Sequence, residues 1–134
     1  MKNIGKMLAC MCIFSFSLQA IEGSYNVRAE DIPGSHEYHI GTLNIVKDKN
    51  DVYQFIWMFL EKNISTTYLG TGLKEGSLVS VIFQEGLNGT AKCGGNEGIQ
   101  TYHIEGGNLK GPYVYLGKSQ IGLEEATKII KGGL

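Results

Sequence analysis

Residues that staple or stiffen a small fold are scarce in this chain. Its 134 residues include three cysteines and two prolines, and Cys10 and Cys12 fall among the first twenty. Without that leading segment Cys93 stands alone, so no disulfide can form within the remainder and its core must hold the fold unaided. Cys93 lies in the polar stretch Lys92-Cys93-Gly94-Gly95-Asn96. It reads as an incidental free thiol, with intermolecular pairing or a reactive role as the alternatives.

A long apolar run is also missing. The run from Met7 to Leu18 is 12 residues long, short of the roughly 20 that a membrane-spanning helix needs. Lys2 and Lys6 precede it and Gln19-Ala20 follow, the basic, apolar, small-residue order of a secretory signal. Residues 1–20 are therefore expected to be an export signal and residues 21–134 a single domain, secreted or periplasmic. Strong charge of one sign is absent too. Outside residues 1–20, 10 Lys and Arg face 13 Asp and Glu, a net charge near −3. Polyanion binding relies on clustered cations, and here acids alternate with bases along the chain, which excludes nucleic acid as a partner.

What the chain does have is glycine, with 18 of its 19 glycines beyond residue 20. They separate short runs rich in Val, Ile, Tyr, Phe and Thr, the pattern of strands joined by tight turns. Eight strands are predicted, at 24–30, 37–46, 52–60, 65–73, 77–84, 98–104, 109–116 and 120–127. Brief polar links force antiparallel neighbours, and closing an eight-stranded meander removes its edges. The expected fold is all-β, an eight-stranded antiparallel up-and-down meander closed as a small barrel. At the tail a short C-terminal helix competes with the last strand, because Leu123, Ala126, Thr127 and Ile130 follow helical spacing.

Alternation is clearest where His39, Gly41, Leu43 and Ile45 share one face, with Leu43 and Ile45 expected to mark the core side. From Val52 to Leu60 it fails. Tyr53, Phe55, Trp57 and Phe59 occupy one face and Val52, Ile56, Met58 and Leu60 the other, which predicts a strand covered on both sides by the N-terminal segment, the tail or another subunit. A lipid-facing barrel is disfavoured by short strands and by the glycines, threonines and charges that interrupt any apolar band.

The series Tyr38-x-x-Gly41-x-Leu43-x-Ile45, Tyr53-x-x-x-Trp57, Gly70-Thr71-Gly72-Leu73, Gly98-x-x-x-Tyr102-x-Ile104 and Leu109-x-Gly111 resembles a group of small exported bacterial proteins of unassigned activity. In its order of glycines and aromatics it is also similar to avidin-like and lipocalin-like barrels. The resemblance implies a fold and a compartment, not a reaction, since a fold hosts many functions.

Catalytic sets are hard to assemble. His36, His39 and His103 could be imagined around zinc, but extended residues three apart face opposite ways, so no metal site is expected. Serines at 65, 77, 80 and 119 lack a flanking signature, and Cys93 with His103 is the single nucleophile–base pair that spacing allows. Glu124 and Glu125, adjacent in a strand, project to opposite faces and not into one cleft. Gly70-Thr71-Gly72-Leu73 and Gly94-Gly95-Asn96-Glu97-Gly98 lack the helix, Lys and Ser/Thr of a phosphate loop and read as bends and close packing. No cofactor is called for.

Aromatic residues are the suggestive feature, because they supply apolar area with polar tips. Tyr38, Tyr53, Trp57, Tyr68, Tyr102 and Tyr113 are the candidate ligand-binding residues, with core packing the competing role. The expected function is a non-enzymatic binding protein for a small molecule, a glycan or a protein partner. The alternative is an envelope or host-interface interaction protein, such as an adhesin or enzyme inhibitor, acting through its outer surface, and a homo-oligomer fits either.

Overall fold

The computed structural model describes residues 20–130, so the expected export signal lies, but for Ala20, outside the described residues. Nine strands follow in order: β1 (Gly23–Glu30), β2 (His39–Lys47), β3 (Val52–Glu61), β4 (Ile64–Glu75), β5 (Leu78–Leu87), β6 (Thr90–Ala91), β7 (Glu97–Glu105), β8 (Asn108–Tyr115) and β9 (Ile121–Lys128). All pairings are antiparallel. β4 pairs with β5 and β1 with β9, so the eight long strands close into a barrel, and the two-residue β6 extends the end of β5.

Turn chemistry explains the meander. Lys62-Asn63, Asn88-Gly89 and Gly106-Gly107 all have positive φ at both central positions, the type I′ geometry whose twist matches paired strands. The tail is strand, not helix. From Tyr25↔Lys128 to Glu30↔Leu123 it pairs with β1, and from Leu109↔Ala126 to Val114↔Ile121 with β8. Closure offers this segment backbone partners on both sides, which overrides its local helical spacing.

Leu43 and Ile45 are buried, as the alternation of β2 predicts. β3 departs from expectation. Tyr53, Phe55 and Trp57 point inward and are buried, but Ile56 and Met58 are 41% and 48% exposed on the outer face. A closed barrel gives each strand one interior face, and among the described residues no second layer covers the outside.

The strand-interior glycines make room for rings. A Cβ at Gly70 would stand 2.7 Å from the Trp57 ring and 2.8 Å from Val81, closer than packed atoms tolerate, so β4 can pass beneath Trp57 only as glycine.

The barrel is filled at one end and open at the other. At the filled end Tyr25, Leu43, Val79 and Leu109 pack tightly, and Ile21, just before β1, is buried with them, its carbonyl accepting from the Tyr25 hydroxyl at 2.7 Å. Burial, and secondly the charge of Glu22, pushes the Tyr25 phenol up to about 12.

Candidate functional site

At the open end, the ends of β1, β3, β5 and β8 and the starts of β2, β4 and β7 surround a cavity of about 310 Å³. Its wall is aromatic: Trp57 and Phe59 from β3, Tyr68 from β4, Phe83 from β5, Tyr113 and Tyr115 from β8. Inward projection at every second residue places these rings side by side. Tyr68–Phe83, Phe83–Tyr115 and Tyr113–Tyr115 meet edge to face with centroids 5.7, 5.8 and 5.8 Å apart, the arrangement that ring quadrupoles favour. Burial raises the phenols of Tyr113 and Tyr115, reinforced by the Asp31 hydrogen bond at Tyr113 and by Tyr68 at Tyr115.

Glu124 of β9 lines the cavity and is 5% exposed. Its Oε2 accepts from the Tyr102 hydroxyl and, at 3.1 Å, from Trp57 Nε1, which also lies 3.1 Å from the Tyr102 oxygen. Burial disfavours the carboxylate and, although both hydrogen bonds oppose it, raises the Glu124 pKa to about 7. No fully enclosed side-chain polar atom among the described residues lacks a partner. Oε1 has none among them, so it is open to the cavity.

Gln100, also on the lining, is 2% exposed. Pro112 in β8 has no N–H to give, and the β7–β8 ladder is interrupted between Gln100↔Tyr113 and His103↔Lys110. The Gln100 amide fills that gap, its Nε2 donating to the Gly111 and Pro112 carbonyls at 3.1 and 3.0 Å, with the Thr101 carbonyl also at 3.0 Å.

A second polar group sits at the mouth. His39, from the start of β2, lies between two carboxylates, with Nδ1 on Glu61 and Nε2 3.0 Å from Asp31 Oδ2. The other Asp31 oxygen accepts from the Tyr113 hydroxyl at 2.5 Å. Burial works against charge on His39, but hydrogen bonds to Glu61 and Asp31 and the charges of both outweigh it, and its pKa is raised.

Three of the six sequence-derived candidates, Trp57, Tyr68 and Tyr113, line the cavity. Tyr102 is fully buried, is not part of the cavity lining, and donates its hydroxyl proton to Glu124. Tyr53 is buried near the filled end, and Tyr38 stands outside the barrel with the Arg28 guanidinium 4.5 Å from its ring. Tyr38 precedes β2, so strand alternation does not direct it inward. The histidines do not converge: His36 and His103 are exposed, and Cys93, also exposed, sits before the start of β7 while His103 lies near its far end. No group of three or more His, Cys, Asp or Glu among the described residues is placed to hold a metal ion.

Glu124 and Glu125 do face opposite ways, and Glu125 pairs outside with Arg28 and Lys110 at 3.3 and 3.5 Å. Sequence reasoning overlooked what Glu124 does inside. The available signal was Gly122, Glu124 and Ala126 alternating as small, acidic, small, a face with little bulk beside the acid. The Asp31–His39–Glu61 grouping left no such trace, because barrel closure assembles it from three segments.

No protein-family model matches the chain, and no curated protein matches it at a significant level. Among solved structures it is similar to a redesigned β-barrel, b11L5F_LGL, at TM-score 0.68 and 7% identity, covering 82% of this chain and 92% of the other. Another redesigned β-barrel, mFAP1, bound to DFHBI, superposes at TM-score 0.64 and 8% identity over 86% of this chain and 100% of that one. At such identities the likeness establishes the β-barrel fold alone.

Proposed function

We propose that this is an exported, non-enzymatic binding protein that holds one small molecule in the open end of its barrel. The observation that carries the reading is the unfilled cavity of about 310 Å³, ringed by aromatics and floored by a buried acid. Ligand sites are concave, mostly apolar and supplied with a few converging polar groups. At roughly 300–1,000 Å³ for such pockets, this one suits a small occupant. Support for export comes from the signal-like order of residues 1–20. The redesigned β-barrel mFAP1, which shares the fold, is bound to DFHBI, so a barrel of this fold can hold a bound compound.

Titration with the neutral fluorophore N-phenyl-1-naphthylamine tests the reading. Saturable fluorescence enhancement is expected, and Thr66→Trp, which fills the cavity from its half-buried rim, should abolish it while the thermal midpoint is kept. No saturable enhancement, or enhancement indifferent to Thr66→Trp, removes the cavity from consideration.

A second reading, an interaction protein working through its outer wall, is favoured by a groove of about 860 Å³ whose lining includes Ile56, Leu69, Ile82, Ile99 and Val114. Ile82 and Ile99 are directly paired and 66% and 54% exposed, and contiguous apolar surface of this kind marks contact sites. Light scattering across a concentration series, with Ile99→Lys as comparison, tests self-association through this wall. A monomer at every concentration leaves that wall without a self-partner.

A further inference from the structure

The cavity carries an unusual balance of charge. Asp31, Glu61 and Glu124 line it, and among the described residues His39 is the single basic side chain and no lysine or arginine contributes. Protonated His39 offsets one carboxylate at the mouth and leaves the lining negative. An anionic ligand would meet net repulsion from these carboxylates.

Glu124 Oε1 narrows the choice further. It belongs to a residue only 5% exposed, its sister oxygen takes both protein donors, and it faces the cavity that Glu124 lines. A wholly apolar occupant would displace water from Oε1 and leave a buried acceptor unpaired, which is costly. A quaternary ammonium would satisfy charge but not the hydrogen bond. A protonated amine satisfies both, and charge-assisted hydrogen bonds of this type are the strong ones.

Resting on the reading of the cavity as a small-molecule site, we propose that the ligand is a protonated amine. Its N–H group donates to Glu124 Oε1, and its aromatic or aliphatic body packs against Trp57, Tyr68 and Phe83.

Four probes sharing one ring system test this by calorimetry at pH 8: 1-naphthylmethylammonium, its N,N,N-trimethyl analogue, 1-naphthylmethanol and 1-naphthoate. The primary ammonium should bind about tenfold or more tighter than the alcohol. The trimethyl analogue should lose most of that advantage, and naphthoate should be weakest. Glu124→Gln should compress the ammonium-to-alcohol ratio to below about threefold. The chain has one tryptophan, so the Trp57 indole N–H resonance, whose proton is shared between Glu124 Oε2 and the Tyr102 oxygen, reports on the wild-type protein and should move when the ammonium binds. That reading stands even if Glu124→Gln does not fold. Saturable binding of the alcohol at an affinity equal to the ammonium's overturns the inference and leaves the cavity reading intact. An ammonium preference that survives Glu124→Gln, or that leaves the indole resonance unmoved, overturns it as well. If none of the four binds, the cavity reading fails and this inference with it.

Discussion

Glu124 is held in the barrel at a cost that pH can reveal. Its pKa rises from 4.5 to about 7 through burial, so between those values the folded state retains a proton the unfolded state has released. The stabilising contribution is complete below about 4.5 and is lost as pH rises through about 7. The groups around it are Tyr102 from β7, the Trp57 indole from β3, and Tyr113 and Tyr115 from β8, none of them cationic. Glu124→Gln keeps an acceptor for Tyr102 and carries no charge. Relative to wild type it should gain up to about 3 kcal/mol at pH 8 and nothing at pH 4, measured by urea unfolding at both. A pH-independent difference would contradict this account. At His39 the sign is reversed in chemistry but not in form: its raised pKa adds stability below its unfolded value, which is lost as pH climbs through the folded one. With the side chain 39% exposed the effect on stability is small. The titration itself should be plain, and Asp31→Asn should lower the His39 pKa followed by NMR.

At the level of elements, the β7–β8 pair is where sequence and ladder disagree. Pro112 interrupts the backbone bonds, and Gln100 replaces them with side-chain donors. Gln100→Ala would leave the buried Gly111 carbonyl and the part-buried Pro112 carbonyl without this donor, at about 1–3 kcal/mol. Urea unfolding should show that loss, and amides of β7 and β8 should exchange faster than those of β2 and β3. Equal exchange in both pairs would mean that water or a backbone shift takes over the work of Gln100. β9 gives the complementary lesson. Its helical spacing is real, but partners offered by β1 and β8 decide its conformation.

On the scale of the whole molecule, one end of the barrel is packed and the other hollow. Opening free energies follow local packing. Backbone amides near Tyr25, Leu43 and Leu109 should therefore exchange more slowly than those near Ala29, Phe59 and Tyr115, by native-state hydrogen exchange. Binding an amine should slow the second group selectively, because a ligand stabilises what it contacts. Uniform slowing along every strand would speak for a global effect and against a site at the open end.

Local chemistry by itself settled most of the strands and turns: links of eight residues or fewer between neighbouring strands such as β1–β2, β3–β4 and β7–β8 are too short for a parallel crossover, and the period of two placed Leu43 and Ile45 inside. It also placed Glu124 and Glu125 on opposite faces. Tertiary structure decided which face of β9 turned inward and what that face could do. Ile121 and Leu123 are the apolar pair, yet Gly122, Glu124 and Ala126 point to the interior. Register in a closed barrel is a collective property of all eight long strands, since a slip of one residue reverses every side chain. The meeting of Asp31, His39 and Glu61, the single exposed layer outside β3 and the empty space beside Glu124 all follow from that closure, which no single stretch of sequence contains.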